Sequence, residues 1–346
     1  MNGRLGSLAP ELAADHGLGP LAARRLRLAG EDVPERLLRE ERAGRTAVLV
    51  APALLKRARE AYAGRLLLVK GPELAARYPD AARRFTDLDL VAEDADEAQA
   101  ALLAAGFQLQ KRKQWPPEGY DDVRRPHYHL HPLEWPGLAL RIEIHKHVKW
   151  PEGLRPPRNE ELFEAATSSV VGIEGVDTPH RHHHAVVLAS HAWGEIPMRK
   201  LRQLVDVLAF VEDGDRDELR LLAGSWGIER GWSSTLAVGD WYFRDAPEPR
   251  LVGVWAPYLR ELREPTVLEM HVQEWLSPFW LTAPKTAIRK ALRAALRDLQ
   301  PAPDQTWGSK LRQMVRAIAH ARSSKSEHYR RSGYRRSATG RWRRAP

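Results

Sequence analysis

The sequence predicts an α/β fold in which a small mixed sheet with helices is followed by an all-α domain. Three features of the chain predict it. Between residues 46 and 150, apolar runs of strand length alternate with segments of helical spacing. Two of these runs, Asp87-Leu88-Asp89-Leu90 and Leu140 to His147, alternate apolar and polar residues as half-buried strands do. Beyond the proline-rich stretch Trp150 to Glu160, long segments of three- and four-residue apolar spacing take over, as in Leu201–Phe210 and Lys285–Leu299. The chain therefore divides into an N-terminal helical segment (1–45), an α/β domain (46–150), a helical domain (151–321) and a tail (322–346), with no internal repeat.

Taken in order, residues 12–30 carry leucines at helical intervals, broken at glycine and proline. Leu66–Val69 is a β-type run that ends at Lys70-Gly71. Pro72, whose φ suits the first turn of a helix, opens the next segment. A strand that turns at glycine into a helix start presents free amides to an anion, and Lys70 adds a full charge beside it. After the Asp87–Leu90 strand, Asp94 or Asp96 caps a helix that Gly106 ends. Residues 107–113 and 126–133 read as strands, the second alternating His127, His129 and His131 with Tyr128 and Leu130.

Composition narrows the function. The 346 residues are 43% apolar and 29% charged, which suits about two domains with cores of their own. There is no cysteine, which excludes disulfides, cysteine-ligated zinc, iron–sulfur clusters and a cysteine nucleophile. The first residues lack the apolar core of a signal peptide, and no apolar run approaches the ~18 residues of a membrane span. A soluble, cytoplasmic protein with no membrane partner is expected. Nine basic residues and one acid between Arg322 and Pro346 give the tail +8 of the chain's +9. This Ser-, Gly- and Arg-rich tail, with Tyr329, Tyr334 and Trp342 interspersed, is expected to be disordered, and it either offers a nucleic acid both charge and stacking or serves as a solubilising tail with no dedicated partner.

The chemistry points to three carboxylates. On a strand, Asp87 and Asp89 share one face and Leu88 and Leu90 the other. Two carboxylates so placed repel each other unless a cation lies between them, and oxygen ligands at that spacing suit Mg²⁺. On a neighbouring strand, Glu143 shares its face with Arg141, His145 and His147, opposite Leu140, Ile142 and Ile144.

In this order the motifs resemble the nucleotidyltransferase superfamily, whose fold is that of DNA polymerase β. They look most like its uncharacterised bacterial nucleotidyltransferase family. The elements are Lys70-Gly71-Pro72-Glu73-Leu74, Tyr78-Pro79, Arg83 or Arg84, Asp87-Leu88-Asp89-Leu90, Gly106-Phe107 and Ile142-Glu143-Ile144-His145. The match spans about residues 64–148 and continues more weakly into residues 182–193 and 198–210.

The resemblance implies a Mg²⁺-dependent transferase that moves a nucleoside monophosphate from an NTP to an acceptor hydroxyl and releases pyrophosphate. Asp87, Asp89 and Glu143 would be its catalytic carboxylates and its metal ligands, with a second metal allowed. Glu143 would also help deprotonate the acceptor. Lys70, Gly71 and Arg84 would hold the nucleotide, with Arg83 an equal alternative to Arg84. Read from the residues themselves, His145 beside Glu143 is a candidate to face the reaction centre, and His191 and Asp206, on the helices that would cover the site, are either substrate-facing or, the favoured reading, satisfied core-edge groups. The broader superfamily has Gly-Ser at the turn; here Pro72 follows Gly71 and brings no N–H.

Other readings stand beside this one. Zinc held by the fourteen histidines is disfavoured, because alternate residues of one strand make a poor ligand set. His180, His182, His183 and His184 read as surface, and most of the twelve tryptophans as packing. An inactive member of the fold that binds a nucleotide or partner, and a nucleic-acid-binding protein working through residues 322–346, are the alternatives. The acceptor, whether small molecule, protein or RNA, is not encoded in these motifs.

Overall fold

A computed structural model describes residues 8–110, 128–194, 198, 200–261, 263–301, 305–324, 327, 334–336 and 342–344. Three helices lead in: α1 (Pro10–Asp15), α2 (Gly19–Leu28) and the long α3 (Glu35–Ala61). Next come β1 (Leu66–Leu68), α4 (Pro72–Ala75), β2 (Asp87–Ala92) and α5 (Ala95–Ala104). The strands β3 (Gln108–Leu109), β4 (Leu133–Glu134) and β5 (Arg141–His145) follow. After α6 (Asn159–Glu164) the chain returns to the sheet as β6 (Thr167–Ser168) and β7 (Val176–Thr178).

The seven strands stand in the order β3-β4-β5-β2-β1-β7-β6. At the centre, β2 runs antiparallel to β1 and parallel to β5, and β1 runs parallel to β7. The mixed sheet and its helices are the α/β fold that the alternation predicted, and a helical region follows it.

That region contains α7 (Arg181–Trp193), α8 (Leu201–Leu208), α9 (Arg216–Ser225), α10 (Glu229–Phe243), α11 (Arg250–Trp255) and α12 (Tyr258–Glu261). It ends in α13 (Val267–Leu276), α14 (Pro278–Leu281), α15 (Pro284–Leu299) and α16 (Trp307–Ala319). Among the described residues no helix is long and apolar enough to cross a membrane.

The central sheet is buried on both faces. Leu66, Leu68, Leu88, Leu90, Ile142 and Ile144 pack with Ala51, Leu54, Leu55 and Ala58 of α3 and with α5. Leu67, Val69 and Val91 face the other way, into a core shared with α1, α2, α7, α8 and α10. At about 25 cal/mol per Å² of apolar surface removed from water, these two layers are the main source of cohesion around β1 and β2.

Three expectations need correction. The boundary at residue 45 falls inside α3, because Ala47, Ala51, Leu54, Leu55 and Ala58 recur at helical spacing and bury one continuous face. The boundary at Trp150 does not close the sheet, since Val176 and Asp177 pair with Leu66 and Leu67. Three-residue strands are too short for periodicity to reveal. Among the described residues of the two expected strands, only 108–109 and 133 are in strands, the second continuing to Glu134; His129 forms an isolated bridge to His145, and 111–113, 126 and His127 lie outside the described residues. In the tail, Tyr334–Arg336 pairs antiparallel with Trp342–Arg344. Their aromatic residues favour extended backbone. The remainder of 325–346, apart from Glu327, lies outside the described residues.

One buried histidine ties α7 to the sheet. His184 Nε2 donates to the Val69 carbonyl, directly before Lys70, and the ring packs 4.4 Å from that of Phe210. His184 is buried rather than on the surface, because it lies on the face of α7 that meets β1. Burial drives its pKa down to about 4 from the ordinary 6.5. The unfolded chain therefore takes up a proton between those values while the folded chain does not. This contribution is complete above pH 6.5 and is lost as the pH falls toward 4, by up to about 3 kcal/mol. Urea denaturation of wild type and His184→Gln should show the wild-type advantage at pH 7 shrinking or reversing by pH 4.5.

Candidate active site

Strand pairing brings the predicted carboxylates together. The β2–β5 register sets Asp89 opposite Glu143 and Asp87 opposite Arg141. Alternation then turns Leu88, Leu90, Ile142 and Ile144 into the α3 core, leaving the polar set on the α7 side. Asp89 is buried beneath three cationic or ionisable groups: its Oδ1 lies 3.1 Å from His145 Nε2 and 3.9 Å from Lys70 Nζ, and Lys70 in turn contacts His191 Nε2. The Oδ2 of Asp89 is buried and has no hydrogen-bond partner among the described residues. Asp87 is more exposed and accepts from Arg141 Nη2 at 2.9 Å, while Arg141 Nε lies 3.2 Å from Glu143 Oε1.

The two inner carboxyls are driven in opposite directions. Burial alone would raise Asp89, but Lys70 and His145 outweigh it and hold the group well below the usual carboxylate range. Glu143 is pushed up to about 7, first by burial and then by the charges of Asp89 and Asp87, with Arg141 and Lys70 opposing. One site thus holds a firmly ionised carboxylate beside one poised near neutrality, a division of roles that enzymes use.

The turn before the site is fixed by glycine. Gly71 sits at φ +73°, and a Cβ there would lie 2.9 Å from Leu88 Cδ2. No other residue meets both conditions without strain. Pro72 then begins α4, as the sequence predicts.

A second cluster locks the loop before β2 onto the helices. Arg83 donates from Nε and Nη2 to the two oxygens of Asp206, at 2.7 and 2.9 Å, and Tyr78 Oη donates to the same carboxylate at 2.6 Å. All three residues are buried. Burial opposes both charges, but the pairing keeps Asp206 below its ordinary pKa and Arg83 above its own. Arg83 is thereby committed to α8, and both oxygens of Asp206 are occupied.

Lys70, Gly71, Arg84, Asp87, Asp89, Glu143 and His191 all line one cavity of about 850 Å³, and Arg83 and Asp206 form part of its wall. That volume lies in the upper part of the usual range for small-molecule pockets, roughly 300–1,000 Å³. His145 belongs to the same cluster through Asp89. Sequence reading missed several lining residues: Tyr128, Arg36 and Arg39 of α3, and Lys200 and Arg202 at the start of α8. No local signal marks them, because they arrive from segments remote in the chain. Arg141 was visible on the Glu143 face, but its partner Asp87 follows only from the register.

The arrangement suits a divalent cation. Donor atoms of Asp89, Glu143 and His145 lie within 4.8 Å of one another, with Asp87 at the rim turned toward Arg141. An unpartnered buried carboxylate oxygen and a carboxyl raised by its neighbours' charge are both relieved when a cation is bound.

Two stability measurements test these assignments. Asp206→Asn should cost about 3–5 kcal/mol in chemical denaturation, since it strips a buried guanidinium of its counter-charge. Glu143 has a raised pKa in the folded state, so the stability it contributes is present below pH 4.5 and lost as pH rises through about 7. Without divalent ions, Glu143→Gln should therefore be about 1–2 kcal/mol more stable than wild type at pH 8, Arg141's lost partner offsetting part of the gain, and close to wild type at pH 4.5.

No curated protein and no solved structure matches this chain. The profile of a family described as uncharacterised nucleotidyltransferase matches residues 8–244, which include α1 to α3, the whole seven-stranded sheet and the helices through α10. Over two thirds of its length, from the first described helix to the ones that cover the cavity, the chain belongs to this nucleotidyltransferase family.

Proposed function

We propose that the chain transfers a nucleoside monophosphate from an NTP to a hydroxyl of an acceptor, using Mg²⁺ held by Asp89 and Glu143 with Asp87. The observation that carries this reading is the set of three carboxylates on two parallel strands, facing a cavity that also exposes Lys70, Gly71 and Arg84. Family membership supports a transferase. When bound, Mg²⁺ supplies charge neutralisation at the phosphates and an acidified environment for the attacking hydroxyl.

The protein's own groups do the remaining work. Lys70 and Arg84 place positive charge where a triphosphate would lie, and Arg84 is the free choice of the arginine pair because Arg83 is bound to Asp206. Glu143 takes the proton as the acceptor oxygen bonds to the α-phosphorus. The bond from that phosphorus to the bridging oxygen breaks, and pyrophosphate leaves with its electron pair. His145 keeps Asp89 ionised, and His191 orients Lys70.

One observation favours a second reading. Arg141 stands between Asp87 and Glu143 and already offsets part of their charge, which suits an inactive nucleotide-binding member. Calorimetric titration of the four NTPs, with and without Mg²⁺, separates the two. The transferase reading expects binding that needs Mg²⁺ and weakens at least about tenfold in Asp87→Asn/Asp89→Asn, a loss of about 1.4 kcal/mol or more. Binding that is indifferent to Mg²⁺ and to the double substitution supports the inactive reading.

A further inference from the structure

The chain beyond the family match has a physical character of its own. Residues 284–346 contain seventeen lysines and arginines against three acids, a net +14 that leaves residues 1–283 at −5. Within this region, α15 and α16 are built inside out. Along α15 the larger residues Ile288, Leu292, Leu296 and Leu299 point to solvent, Leu292 and Leu296 being 59% and 57% exposed, whereas Ala287 and its small neighbours Ala291, Ala294 and Ala295 turn inward. Along α16 the same spacing recurs in Trp307, Leu311, Val315 and Ile318, all exposed. Both helices pack on α13, and these stripes stay exposed among the described residues.

Charge is distributed along the stripes in a fixed pattern. Ile288, Leu292 and Leu296 are each followed directly by arginine, as are Leu311 and Val315. One residue is a rotation of about 100° on a helix, so a cationic row flanks each apolar row. Arg297 reaches back to Glu274, but Arg289, Arg293, Arg312 and Arg316 make no ion pair among the described residues. An exposed apolar stripe of this extent is a contact surface in a soluble fold.

The choice of occupant follows from charge. A second copy would set cationic rows against each other at short range. A nucleic acid would answer the arginines and gain nothing from the leucines. A bilayer carrying anionic headgroups answers both, since aliphatic residues enter the acyl boundary while the flanking arginines stay among the headgroups. A flat lipid surface also accepts two separate stripes without a shaped groove. The basic tail adds to the same attraction.

We propose that α15 and α16, aided by the tail, hold the protein on an anionic lipid surface. This is attachment to a membrane face and needs no spanning helix; it revises the expectation that the chain has no membrane partner.

The test is sedimentation of the full chain with vesicles of phosphatidylcholine alone or mixed with phosphatidylglycerol. Wild type should pellet with the anionic vesicles at least about tenfold more strongly than with the neutral ones, and added salt should weaken it. Leu292→Glu/Leu296→Glu and Arg289→Gln/Arg293→Gln should each lose most of that binding while keeping the wild-type melting profile, since all four side chains are exposed. Equal binding by Leu292→Glu/Leu296→Glu would mean that the tail acts alone and would overturn the proposal. So would a dimer in light scattering that this variant dissolves, without vesicle binding in wild type. Binding of a single-stranded RNA in place of vesicles, unchanged by the leucine substitutions, would also overturn it.

Discussion

The parallel pairing of β2 with β5 is the constraint on which the site depends. It forces Asp89 and Glu143 side by side and sets Asp87 against Arg141, while the alternate residues of both strands are sealed into the α3 core. The carboxylates cannot move apart without unpacking that core. Like charges held this close raise one another's proton affinity, and the protein answers with Lys70, His145 and Arg141. The result is a cluster in which Asp89 stays ionised and Glu143 is poised near neutrality, a state that costs stability and prepares the site for a cation.

The helices around the sheet keep this arrangement rigid. His184 grips the backbone at Val69, one residue before Lys70, and Asp206 grips Arg83, four residues before Asp87. Both bonds run from the α7–α8 pair to the backbone or side chains that lead directly into the cavity. The N-terminal helices join the same core and bring Arg36 and Arg39 to the cavity wall, which explains why the family match begins before the sheet does.

Much of this was legible because it is local. Gly71 declared itself through its place between an apolar strand and Pro72, and Asp87, Asp89 and Glu143 through period-two alternation against leucine and isoleucine. What alternation cannot reveal is register. The partnership of Arg141 with Asp87, the bridge between His145 and Asp89, and the occupation of Asp206 by Arg83 and Tyr78 all arise from pairings between distant segments. Strands as short as Thr167–Ser168 and Val176–Thr178 leave no periodic trace, so the sheet extended past the boundary that the prolines suggested. A run of histidines after proline reads as solvated, whereas the position of His184 on α7 faces β1.

The central claim is that the strained carboxylates form a cation site, and Mn²⁺ is a paramagnetic reporter for it. Electron paramagnetic resonance titration of Mn²⁺ into wild type and Asp89→Asn counts the bound ion directly. The account predicts saturable binding in wild type, competed by Mg²⁺ and weakened at least about tenfold by the substitution. Equal Mn²⁺ binding by the two proteins, or none by wild type at millimolar ion, would contradict it.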